Sequence, residues 1–184
     1  MTALTDIATA TTTWSLDPAH SEVGFAVKHM MISTVRGRFG SVRGTIRLDE
    51  SDLAHSSVEV EIDAASIDTR QDQRDAHLRS ADFFDVDAFP RITFRSRLVE
   101  PVADGAFRVI GDLTIRDVTR EVTLAATDEG RGTDPWGAEK AAFSATTRID
   151  RRDFGLTWNQ ALEAGGVLVA NDIRISLEIQ AVKA

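Results

Sequence analysis

Four histidines, His20, His29, His55 and His77, are the side chains best suited to hold a metal or move a proton near neutral pH. Their spacing gives neither H-x-x-x-H nor H-x-H, and no carboxylate accompanies them at the spacing of a zinc hydrolase, so no metal site is expected. His20 reads instead as a tie between its strand and a neighbouring turn. His77, with Arg74 and Asp75, reads as a fastening for a helical excursion, and His55 as a solvated member of an acidic loop. Ser21 follows His20 directly, but adjacent residues on a strand face opposite sides and cannot be taken as nucleophile and base. No G-x-S-x-G elbow occurs. Cysteine is absent, which removes disulfide frameworks, thiolate zinc sites, iron–sulfur clusters and thiol nucleophiles together. No catalytic residue and no cofactor is expected. The remaining polar cluster is Arg148, Arg151 and Arg152. Its guanidinium groups could receive a polar or pyrophosphate head through bidentate contacts, or pair with Asp150 and Asp153 in a solvated turn.

The elements that would position these residues are strands. In Ser57 to Asp63 the residues Val58, Val60 and Ile62 alternate with acids, which puts one oily face against one charged face. Arg91 to Leu98 repeats the pattern with Ile92, Phe94 and Leu98 inward. The same reading covers Phe107 to Ile115, Val118 to Ala126, Ala141 to Ile149 and Ile173 to Ala181, and Val23, Phe25 and Val27 near the start. Between Arg36 and Leu48 the alternation slips, which predicts a bulge near Gly40. Two stretches depart from this pattern. Thr69 to Phe84 predicts a short helix capped by Thr69 or Asp72, and Arg151 to Gly166 a second one, since Phe154, Trp158 and Leu162 recur at helical spacing before Gly165-Gly166. Many strands with no alternating β–α rhythm predict an all-β fold, a single extended antiparallel β-barrel with one or two short helices.

Composition narrows the function classes. A chain of 184 residues suffices for one core, and its formal net charge of −8 repels a phosphate backbone, so no nucleic-acid partner is expected. Residues 1–13 lack the basic and apolar regions of a signal peptide and are expected to be a flexible tail ahead of one domain over 14–184. No run approaches a membrane span, so a cytoplasmic protein without a transmembrane segment is expected. A barrel of about eight strands is either filled by side chains or holds one small ligand. The inward candidates are Val23, Phe25, Val27, Phe39, Ile92, Phe94, Leu113, Val122, Leu124, Phe143 and Ile175, with Phe154 and Trp158 over one end. None is ionisable. They form either a packed core or the wall of an apolar site.

The stretch Trp14-Ser15-Leu16-Asp17-Pro18-Ala19-His20-Ser21, leading to Val23, Phe25, His29 and Gly37-Arg38-Phe39, resembles the opening of the YceI-like family. Arg74-Asp75-Ala76-His77-Leu78 with Asp82-Phe83-Phe84-Asp85, Phe89-Pro90-Arg91-Ile92-Thr93-Phe94, Gly111-Asp112-Leu113-Thr114-Ile115 and Arg152-Asp153-Phe154-Gly155 agree with it in order, from Trp14 to Val182. The resemblance implies a lipocalin-like barrel that binds a polyisoprenoid, such as a quinone-type or prenyl-phosphate lipid, or another long-chain amphiphile. It also implies a homodimer, the commonest symmetric assembly. Asp117 stands where that family usually has a turn glycine, which predicts an altered hairpin there. Two other readings stay open: an enzyme modifying such a lipid at the cavity mouth through His20, His77 or a nearby acid, and a structural or stress-associated interaction module with a filled core.

Overall fold

Alternating apolar and polar residues form eleven strands in the computed structural model, which describes residues 11–184. They are β1 (Thr11–Leu16), β2 (Glu22–His29), β3 (Ser33–Phe39), β4 (Val42–Asp49), β5 (Ser57–Asp63) and β6 (Ile67–Asp68), then β7 (Arg91–Ala103), β8 (Ala106–Ile115), β9 (Val118–Thr133), β10 (Glu139–Asp150) and β11 (Val169–Lys183). One helix, α1 (Asp72–Arg79), lies between β6 and β7. All pairings are antiparallel. The order β1-β4-β5-β7-β8-β9-β10-β11 closes on itself through β1 and β11, while β2, β3 and β6 continue the lines of β1, β4 and β5. The wall is therefore eight long strands, three of them interrupted, at 17–21, 40–41 and 64–66. Closure pairs the backbone edges that an open sheet would expose. Among the described residues no helix is long and apolar enough to cross a membrane.

Several expectations are corrected in detail. The expected tail over 1–13 ends too late, because Thr11–Thr13 already pair with Asp49, Leu48 and Arg47 of β4; residues 1–10 lie outside the described residues. Ladder hydrogen bonds use backbone groups, so polar threonines pair without any apolar signal. The slip near Gly40 is a break between β3 and β4, stitched by Gly40 N–H to the Ser66 carbonyl (3.1 Å) and Asp63 N–H to the Ser41 carbonyl (3.0 Å). In β7 a register shift between Ser96 and Leu98 turns Val99 inward, in place of Leu98. The helix α1 is capped by Gln71, whose side chain accepts from the Arg74 N–H. The second helix does not form: Arg151–Phe154 makes one 3-10 turn ended by Gly155 at φ 76°, and the chain then reaches β11 through a tight turn between Ala161 and Val167, which bridge antiparallel.

Two tight turns carry left-handed backbone on residues with side chains. Met30 (φ 52°) and Met31 (φ 64°) join β2 to β3, and Arg116 (φ 56°), not Asp117, takes the positive φ between β8 and β9. Such a conformation costs a non-glycine residue about 1–2 kcal/mol. Arg116 also lies over the Phe89 ring, 5.5 Å from its centroid, and so ties the β8–β9 tip to the segment after α1.

The long connection between β10 and β11 is held by Arg151, which is 4% exposed. Its Nε donates to the Ala170 carbonyl (3.0 Å), and its Nη1 to the carbonyls of Leu156 (2.7 Å) and Trp158 (2.8 Å). Asn159 adds a reciprocal pair with Val169: Nδ2 donates to its carbonyl at 2.7 Å and Oδ1 accepts its N–H at 3.1 Å. The Leu156 and Trp158 carbonyls, outside helix and sheet, thus find their donor in the Arg151 side chain, and Arg151 and Asn159 together tie the connection to the start of β11. Burial lowers the Arg151 pKa from the ordinary arginine value. Beside it, the Arg152 guanidinium holds the Asp150 carboxyl down at about 2.

Arg151→Met should leave the Leu156 and Trp158 carbonyls without donors and cost about 3 kcal/mol. The denaturant midpoint measures this, and an unchanged midpoint would remove Arg151 from its anchoring role. The Asp150 carboxyl lies below its ordinary value when folded, so its contribution is present above about pH 4 and lost as pH falls from there towards 2. Solvent screens this partly exposed pair, so Asp150→Asn should flatten the acid limb of the stability curve by less than about 1 kcal/mol.

Candidate functional site

Inward side chains of all eight lines converge on one cavity. It offers about 260 Å³ of room for the centres of water-sized atoms. Eight of the nine phenylalanines lie on its wall. The ninth, Phe89, is the one beneath Arg116. The lining contains no histidine and no carboxylate; its polar side chains are Ser56, Ser144, Thr147 and Arg151. In β11 the residues Ile173, Ile175, Leu177 and Ile179 point inward, yet each is only half-buried. The same holds for Phe25 and Val27 of β2 and for Val122 and Leu124 of β9. A close-packed core would bury such residues almost completely. Their residual exposure is to the interior, which distinguishes a ligand-sized space from a filled barrel.

Of the thirteen residues expected on the wall, twelve are there: Val23, Phe25, Val27, Phe39, Ile92, Phe94, Leu113, Val122, Leu124, Phe143, Phe154 and Ile175. Trp158 is not. It packs at a tilt against Phe83, with ring centroids 5.4 Å apart, and edge-on against His77 at 4.7 Å, so it backs the wall from behind Phe83. The wall also includes residues not singled out from sequence as lining. Ile46, Leu48, Val58 and Val60 carry the same alternation and could have been read from it. Leu78, Phe83 and Phe84 could not, because they come from α1 and the turns after it, where no strand period points the way.

The three arginines expected as a head-group site are not brought together. Arg148 faces outward and meets Asp172 at 3.1 Å, Arg152 is exposed and paired with Asp150 at 2.6 Å, and Arg151 alone reaches the cavity wall, its donors committed to carbonyls. Arg148 lies on the outward face of β10, whereas Arg151 and Arg152 lie on the 3-10 turn that follows it and point different ways, so a basic run in sequence need not be a basic patch.

Three of the histidines lie in polar pairs, in keeping with the non-metal roles expected of them. His20 Nδ1 lies 2.9 Å from Asp17 Oδ2, and His77 Nε2 2.9 Å from Asp82 Oδ2. His55 is exposed, 3.4 Å from Asp52. His29 ends β2 opposite Ser33 and Val169. The Arg74-Asp75 pair fastens α1 to the end of β6. Buried Asp75 accepts the Thr69 N–H at 2.9 Å, and Arg74 donates to the Thr69 carbonyl at 2.9 Å and its hydroxyl at 2.7 Å. Arg79 adds bonds to the carbonyls of Ala65 and Ile67, both at 2.8 Å. This polar clamp holds Leu78, Phe83 and Phe84 over one end of the cavity.

Comparison with known proteins agrees with this architecture. A UPF0312 protein of Vibrio vulnificus is 41% identical over 138 residues, which is 75% of this chain and 73% of that protein. The crystal structure of a Campylobacter jejuni YCEI protein superposes with a TM-score of 0.73 at 32% identity, covering 92% of this chain and 96% of the other. A polyisoprenoid binding domain from Saccharophagus degradans shares the fold at 13% identity, with a TM-score of 0.69 over 93% of this chain and 98% of that one. The model of the YceI-like domain matches residues 14–181, so the chain belongs to the YceI-like family.

Proposed function

We propose that the barrel binds one molecule of a long-chain apolar lipid, a polyisoprenoid such as a quinone-type or prenyl-phosphate lipid, and does not convert it. The observation that carries this reading is the continuous apolar wall with no carboxylate or imidazole on it. An acid–base or nucleophilic step needs such a group within hydrogen-bond reach of the reacting atom. His20, His55 and His77 belong instead to pairs outside the cavity, and His29 is not on its wall. Family membership supports lipid binding in general, and the shared fold of the Saccharophagus degradans domain supports an isoprenoid in particular. A methyl-branched hydrocarbon matches a wall of aliphatic and aromatic side chains. Its burial supplies about 4 kcal/mol per five-carbon unit, gross, at about 0.8 kcal/mol per carbon, against the cost of association.

Organic extracts of the purified protein should contain an isoprenoid lipid by mass spectrometry. Added prenyl quinone or prenyl phosphate should raise Tm, since a saturating ligand at about a hundred times its Kd stabilises by about 2.7 kcal/mol. Leu124→Trp and Ile175→Trp place bulk into the cavity and should weaken binding at least about tenfold, or about 1.4 kcal/mol, with the fold retained. A bound lipid should be recovered unchanged after long incubation. Absence of any co-extracted lipid together with no rise in Tm would defeat this reading.

A further inference from the structure

The tip of the β2–β3 hairpin departs from the way soluble proteins build turns. Met30 and Met31 both lie in the left-handed region, and the Ile32 N–H donates to the His29 carbonyl at 3.2 Å, closing a two-residue turn. Such turns favour Asn-Gly, which tolerates positive φ. Here they carry two large apolar side chains, and exposure rises along the tip from 42% at Met30 to 61% at Met31 and 78% at Ile32. Strain and exposed apolar surface thus coincide on three consecutive residues. The tip is continuous with the cavity: Val27 lies on the wall two residues before His29, and His29 pairs with Val169, also on the wall.

The outer surface beneath the tip is basic although the chain carries a formal net charge of −8. Strand registers align Arg148 of β10, Arg174 of β11, Ala26 of β2 and Arg36 of β3 in one row, and Lys28 lies one pleat nearer the tip. All four cations are exposed. Arg148 pairs with Asp172, whereas among the described residues no carboxylate lies within 4.0 Å of Lys28, Arg36 or Arg174. Ala26 and Met30 are four residues apart, about 13 Å along a strand, a depth that long cationic side chains share with lipid head groups. An apolar tip above a cationic belt is the arrangement of a surface that sits in the interface of an anionic bilayer. Three side chains are too few for the core of a stable protein–protein interface.

We propose that this rim docks on an anionic lipid bilayer, with Met30, Met31 and Ile32 entering the acyl boundary and Lys28, Arg36 and Arg174 against the head groups. The cavity mouth is thereby presented to the membrane. The inference rests on the lipid-binding reading and names the source from which the barrel collects its ligand.

Co-sedimentation of the full chain with vesicles tests it, using phosphatidylcholine alone and phosphatidylcholine with about one third phosphatidylglycerol. The protein should pellet with the anionic vesicles at low salt, and salt should release it. Lys28→Glu, Arg36→Glu and Arg174→Glu should each weaken binding at least about fivefold. The decisive variant combines Met30→Asn with Met31→Gly. It relieves the turn, so Tm should rise, while vesicle binding should fall about tenfold or more; loss of binding through misfolding would move Tm the other way. Uptake of a short prenyl quinone supplied without vesicles should be unchanged in this variant. Wild-type protein that takes up the quinone but stays out of the vesicle pellet would overturn the docking and leave the lipid-binding reading standing. A concentration-dependent dimer abolished by the Asn-Gly variant, without vesicle binding, would equally overturn it. Pelleting without quinone uptake would support docking and strike the lipid-binding reading alone.

Discussion

The cavity exists because a short seam closes the sheet. Three residue pairs join β1 to β11: Trp14 with Lys183, Ser15 with Val182 and Leu16 with Ala181. Three pairs alone would be a weak joint between strands, but β2, which continues the line of β1, adds seven pairs to the same strand, and the residues around the break reinforce it. The Trp14 indole is almost fully buried, donates to Thr12 Oγ1 at 2.9 Å, and lies beneath the cationic ends of Arg131 and Lys183. Beyond the seam, the Asp17 N–H and the Ser21 hydroxyl both donate to the Gln180 carbonyl, at 2.8 and 3.1 Å. Asp17 also meets His20 and Lys140, and the His20 hydrogen bond holds its carboxyl below the usual range. Residues 14–21 therefore serve closure. Every inward residue of the other strands depends on them to face an interior.

Closure by backbone pairing leaves the interior to side-chain volume. Aliphatic and aromatic residues line a bore that they do not fill, and the wall gives its contents few directional contacts. Attraction inside such a wall scales with apolar area and has little preference for the position of any atom. Specificity must then come from length, girth and whatever stands at the mouth. Arg151 does not supply it, because its donors already serve the backbone of the 151–169 connection. A polar head would be left at the mouth and the chain would lie within, the partition that an amphiphile prefers.

How far the fold could be read from sequence follows from which features repeat. Period-two alternation is imposed by the pleat, so β5, β8, β10 and β11 were legible and carried their lining residues with them. Legibility fails where one extra residue changes the phase: the irregularity before Leu98 hands the inward place to Val99. It fails again where spacing coincides with a helix but the hydrogen bonds lie elsewhere. Phe154 and Trp158 are four apart, yet the carbonyls around them are claimed by Arg151, so no helix forms. The clamp of Arg74, Asp75 and Arg79 on the β6 end was legible only as a polar cluster, since its partners Thr69, Ala65 and Ile67 are backbone or near-backbone acceptors and donors that carry no residue-type signal.

The positions of strain separate the two ends of the barrel. Residues other than glycine with positive φ are Met30, Met31, Arg70, Asp85 and Arg116 among those described. All five lie at the rim formed by the β2–β3 tip, the α1 excursion, the β8–β9 turn and the 151–169 connection. Turns at the opposite rim place glycine at this conformation, as at Gly105 and Gly137, and the 151–169 connection does the same at Gly155, Gly165 and Gly166. Glycine was thus available to this chain as a solution and was used where only a turn was needed. Strained backbone that persists on larger residues requires surroundings that over-determine it, and it gathers where side chains at those positions matter more than the turn itself. The rim with the α1 clamp, the Arg151 anchor and the apolar tip is therefore the one at which the proposed lipid binding and docking would take place.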